Sequence, residues 1–322
     1  MSSGDSLKQA DADAKLGRLH QAEATLRRLL ERDPMNIELH KRLAGVLFRT
    51  SRPREVEKFL EQSLEKFPAD DWILIILLRA EFRPLPPRDA LVDLEPLNKR
   101  QPGQVAVVRA LAWCYWQTGE MEQARKTFLE ALELDPANPE TRLAAASFLF
   151  ELGELERADQ LLMADATGNT TGDCPALFDD DDRWWSLRGK LAQARADPKA
   201  ALFCFERALR RRPRDREYLQ YQATLLKTVG RQREAARAFR AVSRIERCRW
   251  QLLELVLNGQ VERPTPSLCL ELAELCEIRG RGRQAEGWRL LYKRFEGAGA
   301  AGRVVGAGRW RHWTTGVRGA ES

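Results

Sequence analysis

Histidine is nearly absent: His20, His40 and His312 are the only three in 322 residues, too few for a multi-histidine metal site or a histidine-driven acid–base centre. Neither a metal nor a cofactor is expected, and an enzyme is the least favoured class. The sequence has no phosphate-cradling glycine loop on a strand, no nucleophile elbow and no strand-rich region to carry one. The six cysteines, at positions 114, 174, 204, 248, 269 and 276, form no C-x-x-C pair and no short metal-type spacing. They read as buried thiols of a reducing compartment. Long apolar runs are also missing. The segment Met1 to Lys8 has no stretch that fits a signal sequence, and the longest strongly apolar run, Trp72 to Leu78, falls far short of a membrane span. A cytoplasmic chain is expected.

Charge of one sign is scarce too. The formal net charge is +6, and half of it sits in residues 300–322, where Arg303, Arg309, Arg311 and Arg318 face only Glu321. The remainder is too small to define a protein built around phosphate binding. Hydrophobic residues make up 43% and charged residues 31%, a balance that folds rather than staying disordered.

What is present is a recurrence. Pro34, Pro68, Pro102 and Pro136 fall 34 residues apart, and Gly17, Gly119 and Gly153 stand in equivalent turns. Within Val105 to Asn138, the residues Leu111, Ala112, Tyr115, Gly119, Ala124, Phe128, Ala131 and Pro136 occupy fixed slots of that period. This pattern resembles the tetratricopeptide-repeat family, whose unit is a helix–turn–helix with interlocking small and large positions.

The frame organises most of the chain. Residues 3–172 hold five contiguous units starting at Ser3, Ile37, Asp71, Val105 and Pro139, and residues 173–181 form a loop insertion. Residues 182–249 hold two more units, 250–265 read as an irregular insertion, 266–299 as an eighth, weaker unit with Arg289 in an apolar slot, and 300–322 as a disordered basic tail. Pro84, Pro86 and Pro87 crowd the third unit's turn and are expected to end its first helix early. Ala166 to Pro175, rich in Thr, Gly, Asn and Asp, reads as a loop and a hinge between units five and six.

The resemblance implies an all-α fold: a right-handed superhelical α-solenoid of about eight helix-turn-helix repeats, with first helices lining a concave groove. It also implies a non-catalytic scaffold or adaptor holding an extended peptide or partner protein. In this frame the groove receives Lys41, Arg49, Arg79, Arg83, Arg109 and Trp113, with an aromatic ladder of Phe48, Phe82, Trp116 and Phe150. Arg109, Trp113 and Trp116 share one helical face. The ladder has two readings, packing between repeats or contact with a ligand, and the arginines are equally a solvated face. A partner with acidic and apolar side chains would use both sets. The ninth slots carry no Asn, so the family's mode of clamping a C-terminal carboxylate is not carried over.

Glu271, Glu274 and Glu277 give the eighth unit an acidic groove end. Apolar Trp288, Leu291 and Tyr292 on the last helix call for cover by the tail, a partner or a second copy, the last being self-association through the C-terminal repeat. Asp179 to Asp182 fits a helix N-cap better than a calcium loop. Single-stranded nucleic-acid binding, through the basic and aromatic groove and the tail, is the alternative to a protein scaffold.

Overall fold

A computed structural model describes residues 3–49, 53–82, 86–163 and 181–297. Arg83, Cys174, Asp179, Asp180, the loop 166–175 and the tail 300–322 lie outside the described residues. Among those described there are sixteen α-helices and no strand. In chain order they are α1 (Ser3–Lys15) and α2 (Leu19–Arg32), α3 (Ile37–Arg49) and α4 (Pro53–Lys66), α5 (Asp71–Phe82) and α6 (Pro87–Arg100). Then follow α7 (Val105–Thr118) and α8 (Met121–Leu134), α9 (Pro139–Glu151) and α10 (Leu155–Met163), α11 (Asp182–Ala194) and α12 (Pro198–Arg211). The last four are α13 (Arg216–Thr228), α14 (Gln232–Leu257), α15 (Pro266–Ile278) and α16 (Gly282–Gly297).

Local chemistry sets these limits. Asn138 caps α9 by accepting from Thr141 N at 3.0 Å, Asp197 caps α12 by accepting from Ala200 N at 3.0 Å, and prolines 139 and 198 start the two helices. Asp181 caps α11 by accepting from Arg183 N at 2.9 Å. Gly119 ends α7 with φ 86°, a left-handed conformation that glycine adopts without a Cβ penalty. The same turn in the α11–α12 hairpin is made by Ala196 at φ 58°.

The chain divides into two compact units, residues 1–102, 250–277 and 281–322 in one, 103–249 and 278–280 in the other. In the second unit, one hydrophobic core runs from Leu143 through Trp184, Leu191, Phe205 and Ala223 to Ile245. Gly189 of α11 is the closest approach: a Cβ there would lie 2.8 Å from the Phe205 ring, and that ring stacks on Tyr221 at 4.6 Å. The expected hinge between units five and six is not a break in packing. Arg142, buried in α9, donates Nε and Nη2 to the Leu161 carbonyl at 3.2 and 2.9 Å, and Trp184 Nε1 donates to Leu162 O at 3.2 Å. These bonds satisfy orphan carbonyls at the end of α10 and fix α9, α10 and α11 around one core.

In the first unit, α16 packs against α4 and α5. Arg281 pairs with Glu57 at 2.5 Å, Arg283 with Glu65 at 2.6 Å, and Gln284 Nε2 donates to Glu61 at 2.8 Å. Trp288 is 0% exposed and Leu291 5%. Trp288 and Leu291, for which the sequence calls for outside cover, are therefore covered by the chain itself, and Tyr292 is half-buried. Residues 250–265 also differ from the irregular insertion expected. Leu252 and Val256 extend the buried stripe of Ile245 and Cys248, so α14 runs on to Leu257, and a 3-10 turn follows at Gln260–Glu262. Cys114, Cys248, Cys269 and Cys276 are buried, and burial pushes the Cys269 thiol up to about 12.

Candidate functional site

Within the unit of residues 103–249, the first helices of consecutive hairpins are linked directly. Arg109 on α7 donates to the Asn138 side chain at 3.4 Å, at the start of α9. Arg183 on α11 forks onto Glu140 of α9, with Nη1 at 2.8 Å and Nη2 at 2.6 Å from its two oxygens, and also holds Asp181. Lys190 on α11 pairs with Glu217 of α13 at 2.7 Å and lies 5.6 Å from the Tyr221 ring centroid. The Arg183 bond holds the Glu140 carboxyl below the usual range, and the nearby Arg109 charge acts in the same direction. A polar face thus runs from α7 through α9 and α11 to α13.

The expected aromatic contacts divide between roles. Trp116 packs edge-on against Phe128 at 6.4 Å and Phe148 at 5.7 Å, so this rung is packing between repeats. Phe150 lies half-buried against the core cluster. Trp113 is half-buried on α7, one turn from Arg109.

In the other unit, Phe48 and Phe82 are half-buried. Lys41 pairs with Asp70 at 3.0 Å and sits 5.7 Å over the Trp72 ring. Arg49 donates to the Ala14 carbonyl at 2.7 Å and stands 3.7 Å from Asp93 of α6, while Arg79 meets Glu262 at 3.3 Å. Glu271 and Glu274 are exposed, and Glu277 pairs with Arg289 at 3.0 Å. The helix that follows them, α16, packs on α4 and α5. Each described cation of the expected set therefore holds an acceptor within the chain and acts first as a strut between helices.

Two groups of arginines were missed in the sequence, both on second helices. A cavity of about 240 Å³ is lined by Trp185, Arg207, Arg210 and Arg211, where Arg207 stacks 4.9 Å from the Trp185 ring centroid. On α14, Arg233, Arg237, Arg240, Arg244 and Arg247 are all exposed. Their alternating four- and three-residue spacing was the available signal.

Hairpins of this kind define an all-α array of helical repeats, and the family follows from the sequence of particular hairpins. Residues 7–71 and 110–138 each match a family model described as tetratricopeptide repeat, so those two segments carry repeats of that family. Among curated proteins the chain is similar to cellulose synthase operon protein C of Pseudomonas fluorescens (strain SBW25), 27% identical over 159 residues that span 49% of this chain and 10% of the relative. The chain thus covers about a tenth of that protein's length. Among solved structures, a tetratricopeptide repeat protein from Parabacteroides merdae ATCC 43184 is 16% identical with a TM-score of 0.43, over 79% of this chain and 98% of that one. A thermophilic TPR protein of Thermus thermophilus is 18% identical with a TM-score of 0.37, over 70% of this chain and 99% of that one. No helix among the described residues is long and apolar enough to cross a membrane.

Proposed function

We propose that the chain is a non-catalytic scaffold that holds an extended segment of a partner protein along α7, α9, α11 and α13. The observation that supports this most is the chain of contacts Arg109–Asn138, Arg183–Glu140 and Lys190–Glu217, which fixes the spacing of successive first helices and leaves one polar face common to all four. A preformed face of this kind lowers the ordering cost on binding. Trp113 supplies apolar area beside Arg109, which gives the partner's acidic side chain a cation one turn away. A carboxylate arriving at any of these cations, Arg109 included, has to exchange with an acceptor already in place, so apolar and backbone contacts carry most of the affinity.

Selection of a random peptide library against the full chain, followed by titration of the strongest binder, tests the reading. Arg109→Glu combined with Trp113→Ala weakens that binder by about tenfold or more while helicity is unchanged. Unchanged affinity removes the site. A steep loss of affinity with salt, together with displacement of the peptide by polyuridylate, favours single-stranded nucleic acid instead and overturns the proposal.

A further inference from the structure

The α14 arginine row stands apart from every cation described so far. Arg233, Arg237, Arg240, Arg244 and Arg247 recur at steps of four and three, which keeps them on one face of the helix over about 21 Å. All are exposed, and none has an ion-pair partner among the described residues. The acids of the same stretch make their ion pairs outside the row: Glu234, although near enough to feel the Arg237 charge, pairs with Arg231 at 2.7 Å, and Glu246 pairs with Arg216 at 3.1 Å. On the opposite face, Ala235, Ala238, Val242 and Ile245 are buried in the core. Like charges three and four residues apart destabilise a helix, so helix stability does not account for the row. A face that only solubilises would mix signs, as the exposed Glu122, Lys126 and Glu130 do on α8.

We propose that this row docks an acidic helix of a partner protein. Successive arginines are about 5 Å apart along the axis, the same step that glutamates in alternating three- and four-residue spacing make on a second helix. Two such helices stay in register along the whole row, and each arginine can fork onto a carboxylate. The alternatives fit less well. A helix lying on a lipid surface places large apolar side chains among its basic ones, whereas the small residues exposed between these arginines are Ala236 and Ser243, and the exposed Trp250 lies past the end of the row. Single-stranded nucleic acid is held by bases stacked on aromatic rings, and no aromatic side chain is exposed between Arg233 and Arg247.

The test uses the full chain and a fluorescent, alanine-rich synthetic helix of about 18 residues with glutamates in that alternating spacing. A peptide of equal composition with the glutamates scattered around the helix is the control. The patterned peptide binds, and the scattered one binds about tenfold more weakly or worse. Arg237→Gln, Arg240→Gln and Arg244→Gln together reduce binding of the patterned peptide by about tenfold while easing like-charge repulsion, so the variant stays folded by circular dichroism. Arg109→Glu with Trp113→Ala leaves this binding unchanged, which separates the row from the face of α7 to α13. Equal binding of the two peptides, indifference to the glutamine variant, or tighter binding of polyuridylate or phosphatidylserine vesicles overturns the proposal.

Discussion

Gly287 of α16 lies so close to Pro68 that a Cβ on it would stand 2.5 Å from the Pro68 carbonyl oxygen, with the Leu74 side chain 2.8 Å away. The absent side chain is what lets α16 rest on α4 and α5 and bury Trp288. Gly287→Ala therefore forces the helix outward and is expected to lower stability by about 1–3 kcal/mol, read by thermal melting and by a rise in Trp288 solvent exposure. Gly282→Ala is the control, since its Cβ meets nothing within 4 Å, and it should change stability by less than about 0.5 kcal/mol.

Ala196 occupies, at φ 58°, the turn position that Gly17, Gly119, Gly153, Gly230 and Gly280 fill in five other hairpins. A left-handed backbone brings its Cβ close to the following carbonyl. Ala196→Gly removes that strain, and chemical denaturation should show a gain of about 1 kcal/mol. A loss of stability would mean the turn is held by contacts other than its backbone.

His40 gives the fold a pH dependence. Its Nδ1 is 2.8 Å from Ser63 Oγ, and its Nε2 3.0 Å from the Pro34 carbonyl, between the Phe59 and Phe67 rings. Ser63 Oγ also donates to the Phe59 carbonyl at 2.8 Å. Burial lowers the imidazole below its ordinary value, the Pro34 bond opposes this, and the Lys66 charge adds to it. The unfolded chain then takes up the proton first, so stability is full above about pH 6.5 and falls as pH drops through the ordinary imidazole range towards the folded value. Denaturation curves across that range should show this slope, and His40→Gln should flatten it.

Arg183 joins α11 to α9 through Glu140 and to its own cap residue Asp181. Arg183→Met leaves two carboxylates facing each other without their cation and should cost about 1.5–3 kcal/mol in denaturant unfolding. Glu140 is depressed in the folded state, so its contribution is present above the ordinary carboxylate value and is lost as pH falls through the folded one. In the Met variant that acid-side loss disappears.

The hairpin plan was legible because a period of prolines and turn glycines encodes backbone conformations that other residues resist. The stacking of α16 was not, because it depends on Gly287 meeting the Pro68 carbonyl across 219 positions of sequence, and no local pattern announces such a pair. The candidate groove was half legible. The frame names Arg109, Trp113 and Trp116, but charge pairs such as Lys41–Asp70 and Arg79–Glu262 arise only when helices meet. The α14 row could have been seen, since arginine itself repeats there at helical spacing, but a search tuned to apolar and glycine periodicity passes over it.

Hydrogen exchange of the full chain, with and without the strongest library-selected peptide, addresses the central claim most directly. If partners lie along the linked first helices, exchange slows in α7, α9 and α11 and is unchanged in α12 and α14. Protection confined to α12 and α14, or none within α7 to α11 at saturating peptide, would contradict it.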